Sequence, residues 1–375
     1  MNVGPDAVVV GGGVAGLTVA LELARAEVRT TVVEPRAALG GATGAAGGIL
    51  APQFETDPAD PLFPLLRDGR RGYGDFVRAV ERASGRAVDF REDGLVIANL
   101  DPARTAAAER ATERYRAHGL AAEVRDADAG HALVPGLGRV DSVLWLPDEA
   151  SVDAQALAPA LERCVAAAGV EIRRDRVVEV ERRGDAVGGV ALEHGVALPA
   201  DLVFVAAGAW VDRIGGLADG GAPRLRPVRG QMMRVRGLEP VLPRQVADHA
   251  GCYALPRADG SAVVGSTMEE AGYAERPTDD GIEAIRDRVL AWLPGIADTS
   301  VVETWAGLRP FTPDGLPILG PDPAVAGLHY ATGYARNGIL IAPRAAGLVV
   351  AAALRSDPED ALLVELAPFS AGRFD

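Results

Sequence analysis

The chain opens on a short apolar run, Ala7–Val10, of the length and composition of a strand buried on both faces. Gly11-Gly12-Gly13-Val14-Ala15-Gly16 follows at once, and beyond it Leu17, Leu21 and Ala24 recur at helical spacing. A second, β-branched run, Thr30–Val33, ends at Glu34. The pattern predicts a βαβ unit at the extreme N-terminus. Residues 40–52 are dense in small side chains, and 56–64, rich in Pro and Asp, reads as a loop. Helical patterning predicts helices over Asp75–Ala83, Pro102–Tyr115, Asp153–Ala168 and Asp280–Trp292, the last stopped by Pro294. Asp101 fits an N-cap and Pro102 a first helical position. Strands are expected at Leu95–Ala98, Ser142–Leu146, Val170–Arg173, Asp201–Ala206 and Leu328–Ala331. Alternation over 177–198, with turns at Gly184 and Gly195, predicts a β-meander, and 223–270 reads as further strands with a turn at Asp259-Gly260. Pro343 also fits a first helical position, so a closing helix is expected from there to about Leu354. No internal repeat is present.

Composition narrows the function classes. With 375 residues, 48% of them hydrophobic, the chain is long enough for two domains around large cores. A net charge of -14 without any basic run argues against a nucleic-acid surface. All 38 basic residues are Arg, so no lysine is available as Schiff base, general base or oxygen-activating cation. Two cysteines, Cys164 and Cys252, without a CxxC, suit a reducing cytoplasm. The five histidines show no metal-ligand spacing, so no metal is expected. No basic segment precedes the first apolar run, and Pro343-Arg344 interrupts the late apolar stretch 338–354, so neither a signal peptide nor a membrane span is expected.

Four constellations carry chemistry. Gly11-x-Gly13-x-x-Gly16 follows a strand and opens a helix, and Glu34 stands 18 residues beyond its last glycine. Glycines there permit a tight turn, close approach to a pyrophosphate and close helix–strand packing, while the acid takes a ribose hydroxyl. The acid favours an unphosphorylated ribose, hence FAD or NAD over NADP. Leu202–Trp210 is a buried strand ending in small residues that could meet a cofactor, or simply a core strand with a turn. In Trp305–Gly315, Arg309 sits among apolar and turn residues, either as a surface charge or as a clamp for a carboxylate. Tyr330–Pro343 is a strand, a glycine-containing loop and a helix whose N–H groups could stabilise negative charge on a reduced cofactor.

Taken together these residues resemble the D-amino-acid oxidase (DAO) family, in its glycine-oxidising branch. The resemblance rests on Gly11–Gly16 with Glu34, on Gly41–Gln53, on Arg229-Gly-Gln-Met232, on Trp305–Pro310 and on Gly333–Pro343, and covers nearly the whole chain. It implies a mixed α/β fold with a Rossmann-like FAD-binding domain (1–85, 145–222 and 304–375) and an antiparallel-sheet substrate domain (86–144 and 223–303). It also implies oxidative deamination of glycine, sarcosine or a small D-amino acid. Hydride would pass to flavin N5 and O2 would accept the electrons, in the usual context of thiazole formation for thiamine. A dehydrogenase on the same fold, acting on a D-amino acid or hydroxy acid with another acceptor, reads the same. The family implies a homo-oligomer, often a tetramer.

Residue roles follow from the same resemblance. Arg309 binds the substrate carboxylate and Tyr253 donates its hydroxyl to that group. Arg336 lies near the amine end or the pocket entrance, and Met268 lines the pocket. Ala46, Gly47 and Gly48 lie close to the flavin ring, Val178 on the adenine side, and backbone from Asn337 through Gly338 and Ile339 to Leu340 at the N1/O2 edge. The remaining cofactor contacts are Gly11, Gly13, Val14, Ala15, Gly16, Glu34, Pro35, Arg36, Thr43, Gly44, Ala45, Ile49, Ala207, Gly208, Trp210 and Gly333. Gly251 stands where these relatives carry His, a departure that widens the pocket or changes amine recognition. No Cys lies in 305–325, so the FAD is expected to be non-covalent.

Overall fold

A computed structural model describes residues 6–217, 225–355 and 361–374. Its first sheet is assembled from segments far apart in the chain. Asp6–Val10 lies at its centre, paired in parallel with Arg29–Val33 on one side and Leu202–Val205 on the other. Glu171–Arg173 extends it beyond Arg29–Val33, Leu328–Thr332 extends it beyond Leu202–Val205, and Ile318–Pro321 closes that edge antiparallel. The continuous apolar run at 7–10 is explained by burial of both faces. Ala7 and Val9 join a core with the helices Val14–Arg25, Phe63–Ser84, Ala154–Ala167 and Gly338–Leu354. Val8 and Val10 join a core built with the three-stranded meander Val177–Arg183, Ala186–Leu192 and Ala197–Pro199.

The second sheet has eight strands. In spatial order they are Ser300–Phe311, Arg226–Arg236, Ala262–Gly265, Tyr253–Pro256, Gln245–Asp248, Leu95–Asn99, Ser142–Leu146 and Glu123–Asp126. The expectation of an antiparallel sheet is corrected at one pairing, because Gln245–Asp248 runs parallel to Leu95–Asn99. Helix Asp279–Leu290 covers one face, with Ile285 and Val289 in the core beside Trp292. The other face, bearing Met232, Tyr253, Leu255 and Val263, packs with Ala51, while Ile49 and Phe54 of the small-residue segment lean on it. That segment is therefore held between the two sheets.

Asp101 caps its helix as expected, and Asp153 caps the helix that begins at Ala154 rather than joining it. Asp101 accepts from Arg104 N at 2.9 Å and Asp153 from Gln155 N at 3.0 Å, each supplying an acceptor to an unpaired first-turn N–H. Two helices are longer than expected. Phe63–Ser84 starts within the Pro-rich stretch, which places Pro64 in its first turn. The closing helix starts at Gly338, so Pro343 is interior to it. Asn337 takes the N-cap position there, and its carbonyl already accepts from Ile341 N. The eight-stranded sheet runs through 145–146 and 304–311, past the domain limits expected at 144 and 303. The limit expected between 222 and 223 lies outside the described residues. Among the described residues no helix is long and apolar enough to cross a membrane.

Candidate active site

The glycine turn forms one end of a single elongated cavity lined by Gly11, Gly13, Val14 and Ala15 together with Glu34, Pro35 and Arg36. Gly11 has φ +107°, and a Cβ there would stand 2.5 Å from the Ala206 carbonyl oxygen. A Cβ on Gly16 would overlap the Gly11 carbonyl, so Gly16 shapes the turn from behind and does not itself line the cavity. Helix Val14–Arg25 begins at Gly13 without a side-chain cap. One of its free N–H groups, on Val14, donates to Thr43 Oγ1 at 2.9 Å. Glu34 accepts from Gly12 N at 2.7 Å and Arg36 N at 2.8 Å, which fixes its carboxylate beside the turn. A side-chain-free cradle, a helix N-terminus and an adjacent carboxylate fit a dinucleotide such as FAD.

Along its middle the cavity is walled by Thr43, Ala45, Ala46, Gly47, Gly48 and Ile49 on one side, and by Ala207, Gly208 and Trp210 on another. Gly333, Gly338 and Ile339 complete this part. The small-residue segment is pinned from outside. Trp305 Nε1 donates to Ala45 O at 3.1 Å and the buried Arg257 donates from Nη2 to Gly47 O at 2.6 Å. Arg36 lies 4.1 Å above the centre of the Trp210 ring, a cation–π contact that ties the dinucleotide end to the middle.

The polar end gathers Arg309, Tyr253, Ser266, Arg336 and Glu55. Arg309 projects from the edge strand Ser300–Phe311 and donates to Ser266 Oγ at 2.7 Å and Thr267 O at 3.1 Å. Both acceptors are neutral. Burial pushes its pKa down, so a carboxylate would meet a cation short of compensation. Burial pushes the Tyr253 phenol up, keeping it a donor. Two glycines make room for this pair. A Cβ on Gly230 would overlap the Arg309 guanidinium, and one on Gly47 would stand 2.5 Å from the Tyr253 hydroxyl. Arg336 pairs with Glu55, Nε to Oε2 at 3.2 Å.

Several expected residues stand elsewhere. Val178 is 38% exposed, and its neighbour Val177 faces the cavity instead, because alternation along the strand turns Val178 outward. Met268 is 53% exposed. Past Gly265 the chain bridges back to Arg229 through Glu269, which leaves Thr267 inward and Met268 outward. Gly44 is buried against the Leu39 carbonyl, Leu340 is buried in the helical core, and Asn337 stands at the helix start; none of the three lines the cavity. Gly251 lies behind Arg336 rather than on the wall. Glu55, Ser266 and Arg257 were not legible as site residues, since no spacing marks them.

A buried carboxyl adjoins this region. Glu149 is 1% exposed and accepts from Gln53 N at 2.9 Å, two residues before Glu55. Burial pushes its pKa up to about 8 from an ordinary 4.5. The fold therefore retains a proton that the unfolded chain releases, and stability falls as pH rises from about 4.5 to about 8. Glu149→Gln keeps the acceptor and cannot ionise. It is expected to exceed the parent in stability at pH 8 by roughly 2–5 kcal/mol and to differ far less near pH 4.5, as thermal unfolding at both values would show.

Comparison with known proteins agrees with this geometry. The DAO family model, described as FAD dependent oxidoreductase, matches residues 6–352. A glycine oxidase of Pseudomonas aeruginosa is 34% identical over 370 residues, covering 98% of each chain. Among solved structures, glycine oxidase from Geobacillus kaustophilus gives a TM-score of 0.89 at 30% identity, with 98% of both chains covered. An iminodiacetate oxidase from Chelativorans sp. BNC1 gives 0.85 at 27% identity, covering 97% of this chain and 98% of its own.

Proposed function

The chain belongs to the DAO family of FAD-dependent oxidoreductases, and on that premise we propose that it oxidises glycine or a comparably small amino acid. The products are an imine, which water hydrolyses to the 2-oxo acid and ammonia, and hydrogen peroxide from O2. The observation that carries the reading is Arg309, a half-buried guanidinium whose hydrogen-bond partners among the described residues are neutral oxygens, in the same cavity as the glycine cradle.

FAD, when bound, supplies the two-electron acceptor for the hydride leaving the substrate Cα. Gly11, Gly13, Val14, Ala15 and Glu34 would hold its dinucleotide end, and Ala46–Gly48 with Gly338 and Ile339 its ring end. Arg309 receives the substrate carboxylate through parallel N–H donors, and the Tyr253 hydroxyl donates to the same group. The two together fix the substrate at one end, leaving its Cα–H in a single orientation, an effect worth about 7–11 kcal/mol where it is complete. Gly47, Leu308 and Pro310 line the cavity beside that end. No side-chain base is required, because the amine enters neutral. The reading includes a homo-oligomer, and a cytoplasmic location consistent with two cysteines that are both buried and free.

The test is flavin absorbance on anaerobic mixing with glycine, sarcosine and small D-amino acids, followed by a peroxide assay in air. Bleaching by glycine or sarcosine with peroxide formation is expected. No bleaching by any of them would sink the reading, and bleaching with dye reduction but no peroxide would make the protein a dehydrogenase.

A further inference from the structure

The polar end of the cavity holds two guanidiniums, and they are in different electrostatic states. Arg309 has neutral oxygens as its hydrogen-bond partners. Arg336 meets the Glu55 carboxylate at 3.2 Å through Nε and at 3.3 Å through Nη2. The Glu55 side chain is only 8% exposed and that of Arg336 35%, so the acid is sheltered beneath a guanidinium that reaches solvent. Arg336 also rests against the hairpin tip at Gly251, where a Cβ would stand 3.5 Å from Nη1, in contact without overlap. The cavity therefore offers one cation without a hydrogen-bonded anion among the described residues and one paired directly with a carboxylate. A substrate with one carboxylate satisfies Arg309. A second carboxylate reaching for Arg336 meets a charge that Glu55 already offsets, and either displaces that acid or stands beside it as a second negative charge.

We infer that Glu55 is a specificity-determining residue that restricts the site to amino acids with a single carboxylate, by keeping Arg336 occupied. The inference rests on the amino-acid oxidase reading above. Its probes are sarcosine and iminodiacetate, which share an N-substituted glycine and differ by a carboxylate on the substituent. The parent holoenzyme is expected to favour sarcosine. In Glu55→Gln, which keeps the size of the side chain and removes its charge, the kcat/KM ratio of iminodiacetate to sarcosine should rise about tenfold or more, mainly through a lower KM for iminodiacetate. Glu55→Asp, which keeps the charge, should leave the ratio close to that of the parent. Adding Arg336→Gln to Glu55→Gln should abolish the gain, since the receiving cation is gone. If Glu55→Gln fails to retain FAD, Glu55→Ser carries the same comparison. An unchanged ratio in an FAD-bound neutral variant, or a parent that already prefers iminodiacetate, would overturn the assignment of Glu55. Turnover of neither compound, nor of glycine, by the parent would instead overturn the oxidase reading.

Discussion

Arg309→Lys is expected to lose about 10²–10⁴ in kcat/KM for glycine while the purified protein stays yellow. The guanidinium is planar and can present two parallel donors to a carboxylate, and an ammonium cannot. Each charge-assisted bond is worth roughly 1.5–3 kcal/mol, so losing the paired geometry costs about two bonds' difference between bound and free substrate. Lys is also shorter, and Ser266 Oγ and Thr267 O, which now steady the Arg309 head, would be left without their donor. The cradle at Gly11–Gly16 is unaffected, which is why FAD should remain. Steady-state kinetics with glycine and an absorbance spectrum of the same preparation check both halves. A variant that turns glycine over at near-parental rates would refute the carboxylate-clamp role.

Gly16→Ala should act on the other end and give protein purified largely without flavin. The added methyl overlaps the backbone carbonyl of Gly11, which itself is held by Gly11 N donating to Val33 O at 2.9 Å. Neither atom belongs to a flexible side chain, so the turn or the helix has to move. Movement there reorients the N–H groups of the helix N-terminus, on which binding of a pyrophosphate depends. Loss of more than about tenfold in FAD affinity is expected, together with destabilisation of roughly 1–3 kcal/mol. Fluorescence titration of the apoprotein with FAD reads the first and thermal unfolding the second. Parental affinity would show that the close packing is not needed.

Much of this was legible because the signals are local. A strand, a glycine turn, a helix and an acid at a fixed offset fall within residues 7–34, and the structure realises them within one βαβ unit. Helix caps are likewise matters of a few residues. What stayed hidden depends on pairing between distant segments. That Glu55 meets Arg336, 281 positions away, is set by how the small-residue segment threads between two sheets. The resemblance implies Val178 on the adenine side, whereas Val177 lines the cavity and Val178 is exposed, since pairing with distant strands sets which face turns inward. The resemblance implies Met268 on the cavity wall, whereas the chain leaves its ladder at Gly265 and Met268 turns outward. The parallel pairing of Gln245–Asp248 with Leu95–Asn99 has no local signature either.

The central position of Asp6–Val10 has a further bearing on how the chain comes to be folded. One of its edges is satisfied by Arg29–Val33 almost as soon as both are synthesised. The other pairs with Leu202–Val205, nearly two hundred residues later. At a ribosomal pace of about 5–20 residues per second, that edge waits on the order of 10–40 seconds for its partner. An apolar strand with open backbone groups is a template for stray association over that interval. Translation speed and chaperone supply should thus govern the yield of this protein more than its final stability does.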